Sequence, residues 1–118
     1  MSEALELAGA LIRRASVTPD DAGCQDILIE QLEPLGFRTE HFHFARVRNI
    51  WLRRGERPPL FVFLGHSDVV PPGPESAWHS PPFEPRVRDG RLYGRGAADM
   101  KSSLAAMAVA CRRFIGRH

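Results

Sequence analysis

Two stretches of sequence decide the fold: LFVFLGHSD at residues 60–68 and GRGAADMK at residues 94–101. The first begins with a short, continuously apolar run, which is typical of a central strand buried on both faces. A His-x-Asp sequence follows at the carboxyl end of that predicted strand, where open α/β sheets usually place their sites. The second stretch is a glycine-rich turn that presents Asp99 just before a helical pattern. We therefore expect a functional site where the two stretches meet.

The flanking sequence alternates helical and strand patterns. Apolar residues at three- and four-residue spacing predict an amphipathic helix over residues 2–15, with Ser2 as its N-cap. A second helix is predicted to begin with Thr18 as its cap and Pro19 at its first position, and to run to about Leu35. The remaining predicted elements are strands over residues 37–44, 47–53 and 60–64, an Asp-Gly hairpin over 86–93 and a helix over 100–115.

This order of elements predicts an α/β arrangement with a central mixed sheet flanked by helices. The strand over residues 60–64 would lie in the middle of that sheet. In the last helix, Leu104 and Cys111 lie on one apolar stripe, so both are expected in the core.

Composition limits the function classes. With 118 residues and a net charge of +2, the chain is one domain or part of one, and its arginines are too scattered for a nucleic-acid-binding face. Cys24 and Cys111 form no CxxC pair, which fits a reducing compartment. The N-terminus has no secretory signal pattern, and no apolar run approaches the roughly 18 residues needed to cross a membrane. We therefore expect a cytoplasmic protein.

The candidate chemistry lies in three side chains. His66 and Asp68 are two residues apart on an extended chain, so their side chains point the same way. An imidazole nitrogen is a good zinc ligand, and the neighbouring carboxylate could orient the ring or bind metal itself. Asp99 could bridge two cations, as in two-metal hydrolases. Taken alone, a His-x-Asp sequence is more often a surface feature and an aspartate before a helix more often an N-cap, so both alternatives stay open.

Further motifs occur in a fixed order with these stretches. GHSDVVP at residues 65–71 is followed by Trp78, PPFEP at 81–85, Asp89-Gly90 and GRGAADMK. In combination and spacing, they resemble the N-terminal part of the di-zinc amidohydrolase and exopeptidase family. The resemblance covers essentially the whole chain and is strongest to the branch that hydrolyses N-succinyl amino acids. Deacetylases and metallopeptidases of the same family are the nearest alternatives.

The resemblance implies a zinc-exopeptidase-like α/β catalytic domain, of which residues 1–118 would be the N-terminal part. It implies that His66 ligates one zinc, that Asp99 bridges two zincs, and that Asp68 is the catalytic-site aspartate that orients His66. Cobalt is an alternative metal. The implied reaction is hydrolysis of an N-succinyl amino acid, in an enzyme that forms a homodimer through a further domain. The resemblance implies no nucleic-acid or membrane partner.

The number of ligands is the main difficulty. In the family, two adjacent glutamates, a further acidic ligand and a late histidine complete the site, and this sequence has no matching positions. His41 and His43 share one face of a predicted strand, and Glu75, His79 and Glu84 lie in a loop, but none is spaced to replace those ligands. We therefore expect the chain to be inactive by itself. The alternative from another class is a non-catalytic protein that needs a partner chain.

Overall fold

A computed structural model describes residues 2–118 of the chain. These residues form helices α1 (Glu3–Ile12), α2 (Cys24–Leu32) and α3 (Ser102–Arg117), and strands β1 (Arg38–Phe44), β2 (Val47–Arg53), β3 (Arg86–Arg88) and β4 (Arg91–Tyr93). Short helical turns lie at Glu33–Leu35, Glu75–Ala77 and Ala97–Lys101. The predicted α/β class is confirmed. Within residues 2–118, no helix combines the length and the apolar character that crossing a bilayer requires.

The core lies where α1 packs against α3 and α2. Its buried residues come from all three helices: Leu7, Ala8, Leu11, Cys24, Ala105, Ala108 and Val109. The predicted stripe of α3 lies only partly in this core, because Leu104 and Cys111 are half-buried. Both of these side chains line an apolar cavity of about 840 Å³ instead. Helix α3 therefore presents small residues to α1 and larger apolar residues to the cavity.

The start of α1 confirms one predicted cap and the start of α2 corrects another. The backbone N–H of Leu5 donates to the hydroxyl oxygen of Ser2 at 3.1 Å, as expected for an N-cap. Helix α2 begins at Cys24, later than predicted, and the carboxylate of Asp21 accepts hydrogen bonds from the backbone N–H groups that precede and enter the helix. The prediction that Thr18 caps α2 is wrong, because its hydroxyl binds Asp68.

Two antiparallel hairpins form the sheet structure. In the first, β1 pairs with β2 over their full lengths, with Arg38 opposite Arg53. In the second, β3 pairs with β4 across Asp89 and Gly90, whose φ angles are 52° and 72°. A type I′ turn needs positive φ at both central residues, which is why the Asp-Gly prediction is confirmed.

The predicted buried strand over residues 60–64 is wrong. Its residues are in no strand, and the exposed fraction reaches 81% at Phe61 and 88% at Leu64. A strand is stable only where a neighbour satisfies its backbone N–H and C=O groups, and no strand of the described residues pairs with this run. Residues 60–63 border the same cavity as α3. Within residues 2–118, two separate two-stranded sheets therefore stand in place of the predicted central mixed sheet.

Candidate metal centre

An isolated parallel bridge holds the stretch that carries His66 and Asp68. It joins Val17 to Val69, and the backbone N–H of Val69 donates to the carbonyl of Ser16 at 2.9 Å. Val69 and Ser16 are both buried, so these bonds are protected from competing water. The bridge therefore fixes the backbone immediately after Asp68 against the segment that follows α1.

The turn at Ala97–Lys101 presents Asp99. It begins after Gly96, whose φ of +87° is disfavoured for residues with a side chain. A Cβ atom at this position would also lie 2.7 Å from a methyl carbon of Val69, so the two stretches approach each other closely here. The backbone at Asp99 is not helical (φ −135°, ψ 94°), and α3 has no side-chain N-cap bond. The alternative that Asp99 caps the helix is therefore wrong.

The structure brings His66, Asp68 and Asp99 together. Nε2 of His66 lies 2.9 Å from Oδ1 of Asp99, and Nδ1 lies 3.0 Å from the backbone carbonyl of Asp68 and 3.2 Å from its Oδ1. The imidazole ring thus lies between two carboxylates, with an oxygen near each nitrogen. Asp99 is the most exposed of the three side chains (85%), and the others are about half exposed. The cluster is therefore open to a small ligand from the surface.

The charges around the ring change its affinity for a proton. Partial burial lowers the pKa of His66, but hydrogen bonds to the Asp68 carbonyl and to Asp99, together with the charges of both carboxylates, raise it by more. The net result is a pKa above the ordinary value of 6.5. The pKa of His66 is raised because carboxylate and carbonyl oxygens lie close to both of its ring nitrogens.

The donor chemistry of the cluster fits zinc, although the number of donors is small. Imidazole nitrogen and carboxylate oxygen are two of the ligand types that zinc takes in proteins. His66 and Asp99 offer one of each, with Nε2 and Oδ1 2.9 Å apart. Within residues 2–118, however, no group of three or more His, Cys, Asp and Glu side chains is placed to hold a metal ion. A catalytic zinc normally has three protein ligands. The described residues thus offer fewer donors than a catalytic zinc requires.

The other candidate ligands lie outside this cluster. His41 and His43 are exposed on β1, opposite Ile50 and Arg48 of β2. Their common face carries no third metal-binding side chain that would complete a site within the described residues. In the loop, Glu75 and His79 are exposed, and Glu84 pairs with Arg86 at 3.2 Å.

Two side chains in contact with this region were not predicted from the sequence as part of a site. Thr18 donates its hydroxyl proton to Oδ2 of Asp68. Lys101 is fully buried and its ammonium donates to the carbonyls of Leu11 and Arg14 at 2.8 and 2.7 Å. The sequence held one signal for Lys101, since it is the only lysine among sixteen Lys and Arg residues.

The comparison with known families agrees with the motifs. Residues 62–118 match the sequence model described as Peptidase family M20/M25/M40. This match contains His66, Asp68 and Asp99, and it agrees with the resemblance that the motifs indicate.

Individual relatives are similar to the chain over all of its length. The chain is 64% identical to a protein named succinyl-diaminopimelate desuccinylase from Methylococcus capsulatus. It is 63% and 58% identical to proteins of the same name from Nitrosococcus oceani and Thioalkalivibrio sulfidiphilus. Each comparison covers 100% of this chain and 31% of the relative. The chain therefore spans about a third of the length of these relatives.

Proposed function

We propose that this chain supplies part of the active site of a zinc-dependent amide hydrolase. The proposed reaction converts N-succinyl-LL-2,6-diaminopimelate and water to succinate and LL-2,6-diaminopimelate, a step in the synthesis of diaminopimelate and lysine. The name shared by the relatives supports this substrate, and the family match supports the reaction class.

Each residue of the cluster has a proposed role. His66 would bind one metal ion through Nε2, and Asp99 would offer its carboxylate oxygens to the same ion and to a second one. Asp68 would keep the proton of the ring on Nδ1, since its carbonyl and Oδ1 are both near that nitrogen. Bound zinc would supply a water of lowered pKa and would polarise the amide carbonyl, and cobalt could take its place.

One observation carries this proposal: the imidazole of His66 lies between the carboxylates of Asp68 and Asp99. A metal-binding histidine in proteins usually donates its second N–H to a carboxylate or a carbonyl. In this chain the Nδ1 side of the ring has both acceptors, and the Nε2 side faces the second proposed ligand. Acceptor oxygens beside both ring nitrogens are not required for a histidine that is only part of the surface.

The setting of the enzyme is also part of the proposal. Residues 1–118 would form the N-terminal part of a metallohydrolase catalytic domain, in a cytoplasmic enzyme that forms a homodimer through a further domain. The chain alone would bind zinc weakly and would be inactive, because two donors are fewer than a catalytic zinc requires. A non-catalytic chain that needs a partner remains the second candidate, and the exposed apolar run at residues 60–64 supports it.

A chimaeric enzyme tests the proposal. Residues 1–118 would replace the matching segment of the Methylococcus capsulatus relative, to which they are 64% identical. Release of succinate from N-succinyl-LL-2,6-diaminopimelate would be measured with zinc or cobalt, with N-acetylornithine and a dipeptide as rival substrates. We expect the chimaera to hydrolyse the succinyl substrate. A folded chimaera that cleaves only N-acetylornithine would establish a deacetylase instead.

Four single substitutions in the chimaera test the site. His66→Ala and Asp99→Asn should each reduce the zinc content and lower kcat by at least about a hundredfold, since they remove proposed ligands. His79→Ala is the matched control, because it removes an exposed histidine that lies outside the cluster. Unchanged zinc content in His66→Ala would overturn the ligand assignment. A loss of zinc in His41→Ala would point instead to the two-histidine face of β1.

A further inference from the structure

The hydroxyl of Thr18 binds the one carboxylate oxygen of Asp68 that does not face His66. It donates to Oδ2, while Oδ1 lies 3.2 Å from Nδ1 of the ring. A carboxylate can rotate about its bond to Cβ, so a partner on one oxygen determines where the other oxygen points. Asp68 is 42% exposed, and without such a partner water would compete for both oxygens.

The backbone around Thr18 is itself fixed to the same stretch. The backbone N–H of Thr18 donates to the carbonyl of Val69 at 3.0 Å, next to the Val17–Val69 bridge. Two residues earlier in the chain, the buried hydroxyl of Ser16 donates to the carbonyl of Ser67 at 2.7 Å. Hydrogen bonds therefore fix the backbone of residues 16–18 against that of residues 67–69, so the Thr18 hydroxyl and Asp68 are held close together.

From this geometry we propose that Thr18 is a positioning residue, which holds Asp68 so that Oδ1 of Asp68 stays beside Nδ1 of His66 and, together with the Asp68 carbonyl, keeps the proton on that nitrogen. The inference rests on the proposed function, since it gives the ring the tautomer whose Nε2 is free to bind metal. Thr18 does not touch the substrate or the metal in this role. It acts only through Asp68.

The first experiment measures the tautomer of the His66 ring in the metal-free chain. Long-range ¹H–¹⁵N spectra of the ¹⁵N-histidine-labelled protein, recorded at alkaline pH where the ring is neutral, report which nitrogen carries the proton. Thr18→Val removes the hydroxyl and keeps the volume and the branching, so it should shift the tautomer ratio toward Nε2–H by roughly threefold to tenfold. Thr18→Ser keeps the hydroxyl and should restore the ratio.

A double-mutant cycle separates positioning from general stability. In the Asp68→Ala background, Thr18→Val should cause no further change in the tautomer ratio, because the carboxylate through which Thr18 acts is absent. Should Thr18→Val lower the free energy of unfolding but leave the tautomer ratio of the wild-type background unchanged, Thr18 would have only a structural role. An equal shift in both backgrounds would also overturn the proposal.

A second measurement does not depend on any substitution of Thr18. The three-bond couplings from Cγ2 of Thr18 to its backbone nitrogen and carbonyl carbon report the χ1 rotamer. They should indicate one rotamer in the wild type and averaging in Asp68→Ala. Couplings that stay the same would mean that another group, such as the Val69 carbonyl at 3.3 Å, holds the hydroxyl, and the proposal would fail.

The outcome is distinguishable from that of the proposed function. The tautomer and the couplings are read without metal or substrate, so an inactive chimaera with the expected shifts would overturn the hydrolase and keep the positioning role. An active chimaera without the shifts would do the reverse. If both hold, Thr18→Val in the chimaera should lower kcat with little change in KM, and Thr18→Ser should recover it.

Discussion

Lys101 offers a prediction that depends only on the described structure. It is the only lysine in the sequence, it is fully buried, and its ammonium donates to the carbonyls of Leu11 and Arg14, at the end of α1. A positive charge at this end also complements the helix dipole. The perturbation is Lys101→Met, which keeps an unbranched side chain of similar length and removes the charge and both hydrogen bonds.

The magnitude follows from three opposing contributions. Hydrogen bonds from a charged donor contribute about 1.5–3 kcal/mol each, which gives about 3–6 kcal/mol for the two. Burial lowers the pKa of Lys101, with partial compensation from Cys24 and Asp21, which shows that burying the ammonium has a desolvation cost. Methionine has no such cost, so its substitution offsets part of the loss of the two hydrogen bonds. Neither carbonyl is left without a donor, because Leu11 still accepts from the N–H of Arg14 and Arg14 from the N–H of Ser16. We therefore expect a net loss of about 2 kcal/mol in the free energy of unfolding.

The assay is urea unfolding followed by circular dichroism, with Arg57→Met as the control. Arg57 is exposed, so its substitution removes the same charge from the surface and should change stability by less than about 0.5 kcal/mol. In parallel, an amine-specific reagent reports on Lys101 alone among the side chains, and labelling should be slow until the protein unfolds. Rapid labelling in native buffer, or equal urea midpoints for Lys101→Met and the wild type, would refute the reasoning.

Three further predictions concern pH, thiol reactivity and backbone strain. Because the pKa of His66 is raised in the folded state, its contribution to stability is fully present below pH 6.5 and is lost as the pH rises through the folded-state pKa. His66→Gln should therefore remove this pH dependence when the free energy of unfolding is measured without metal. Burial raises the pKa of the Cys111 thiol, so in Cys24→Ser, which leaves one thiol, alkylation at about pH 8 should be several-fold slower than in urea, and equal rates would contradict this. Gly96→Ala should lower the free energy of unfolding by about 2–3 kcal/mol, and by clearly more than Gly73→Ala. Both glycines have positive φ, but only a Cβ at position 96 would lie 2.7 Å from another side chain, that of Val69. Equal losses would show that this close approach has no cost.

The features that the sequence predicts well are local ones. The Ser2 cap depends on a residue and the N–H groups of the next turn, and the turn at Asp89 and Gly90 depends on positive φ at two adjacent positions. Both are determined within a few residues, so no knowledge of distant contacts is needed. The proximity of His66 and Asp99 was predicted differently, from the order and spacing of motifs. Their metal-binding roles remain predictions.

The features that the sequence did not predict depend on contacts between distant residues. A threonine before a proline is a reasonable helix cap, but the hydroxyl of Thr18 has a stronger partner in a carboxylate fifty residues away. Asp21, only a few residues later, satisfies the N–H groups at the start of α2 instead. Likewise, the burial of Lys101 results from two carbonyls near the end of α1, about ninety residues earlier in the chain. Local propensity cannot decide between such competing partners.

The run at residues 60–64 shows why an apolar pattern alone does not determine a strand. The pattern predicts what surroundings the segment needs, namely apolar contacts on both faces and strands on its edges. In the described residues, side chains of α3 and β2 surround a cavity of about 840 Å³, and residues 60–63 lie at its border. A segment that filled this cavity would bury the side chains of residues 60–63, which are now 47–81% exposed, and could pair with their backbone. The same stretch leads directly into His66, so whatever covers the run would also order the backbone that carries the proposed metal ligand. If so, in the chimaera residues 60–64 should exchange their amide hydrogens far more slowly than in the chain alone, and zinc affinity should rise with that protection.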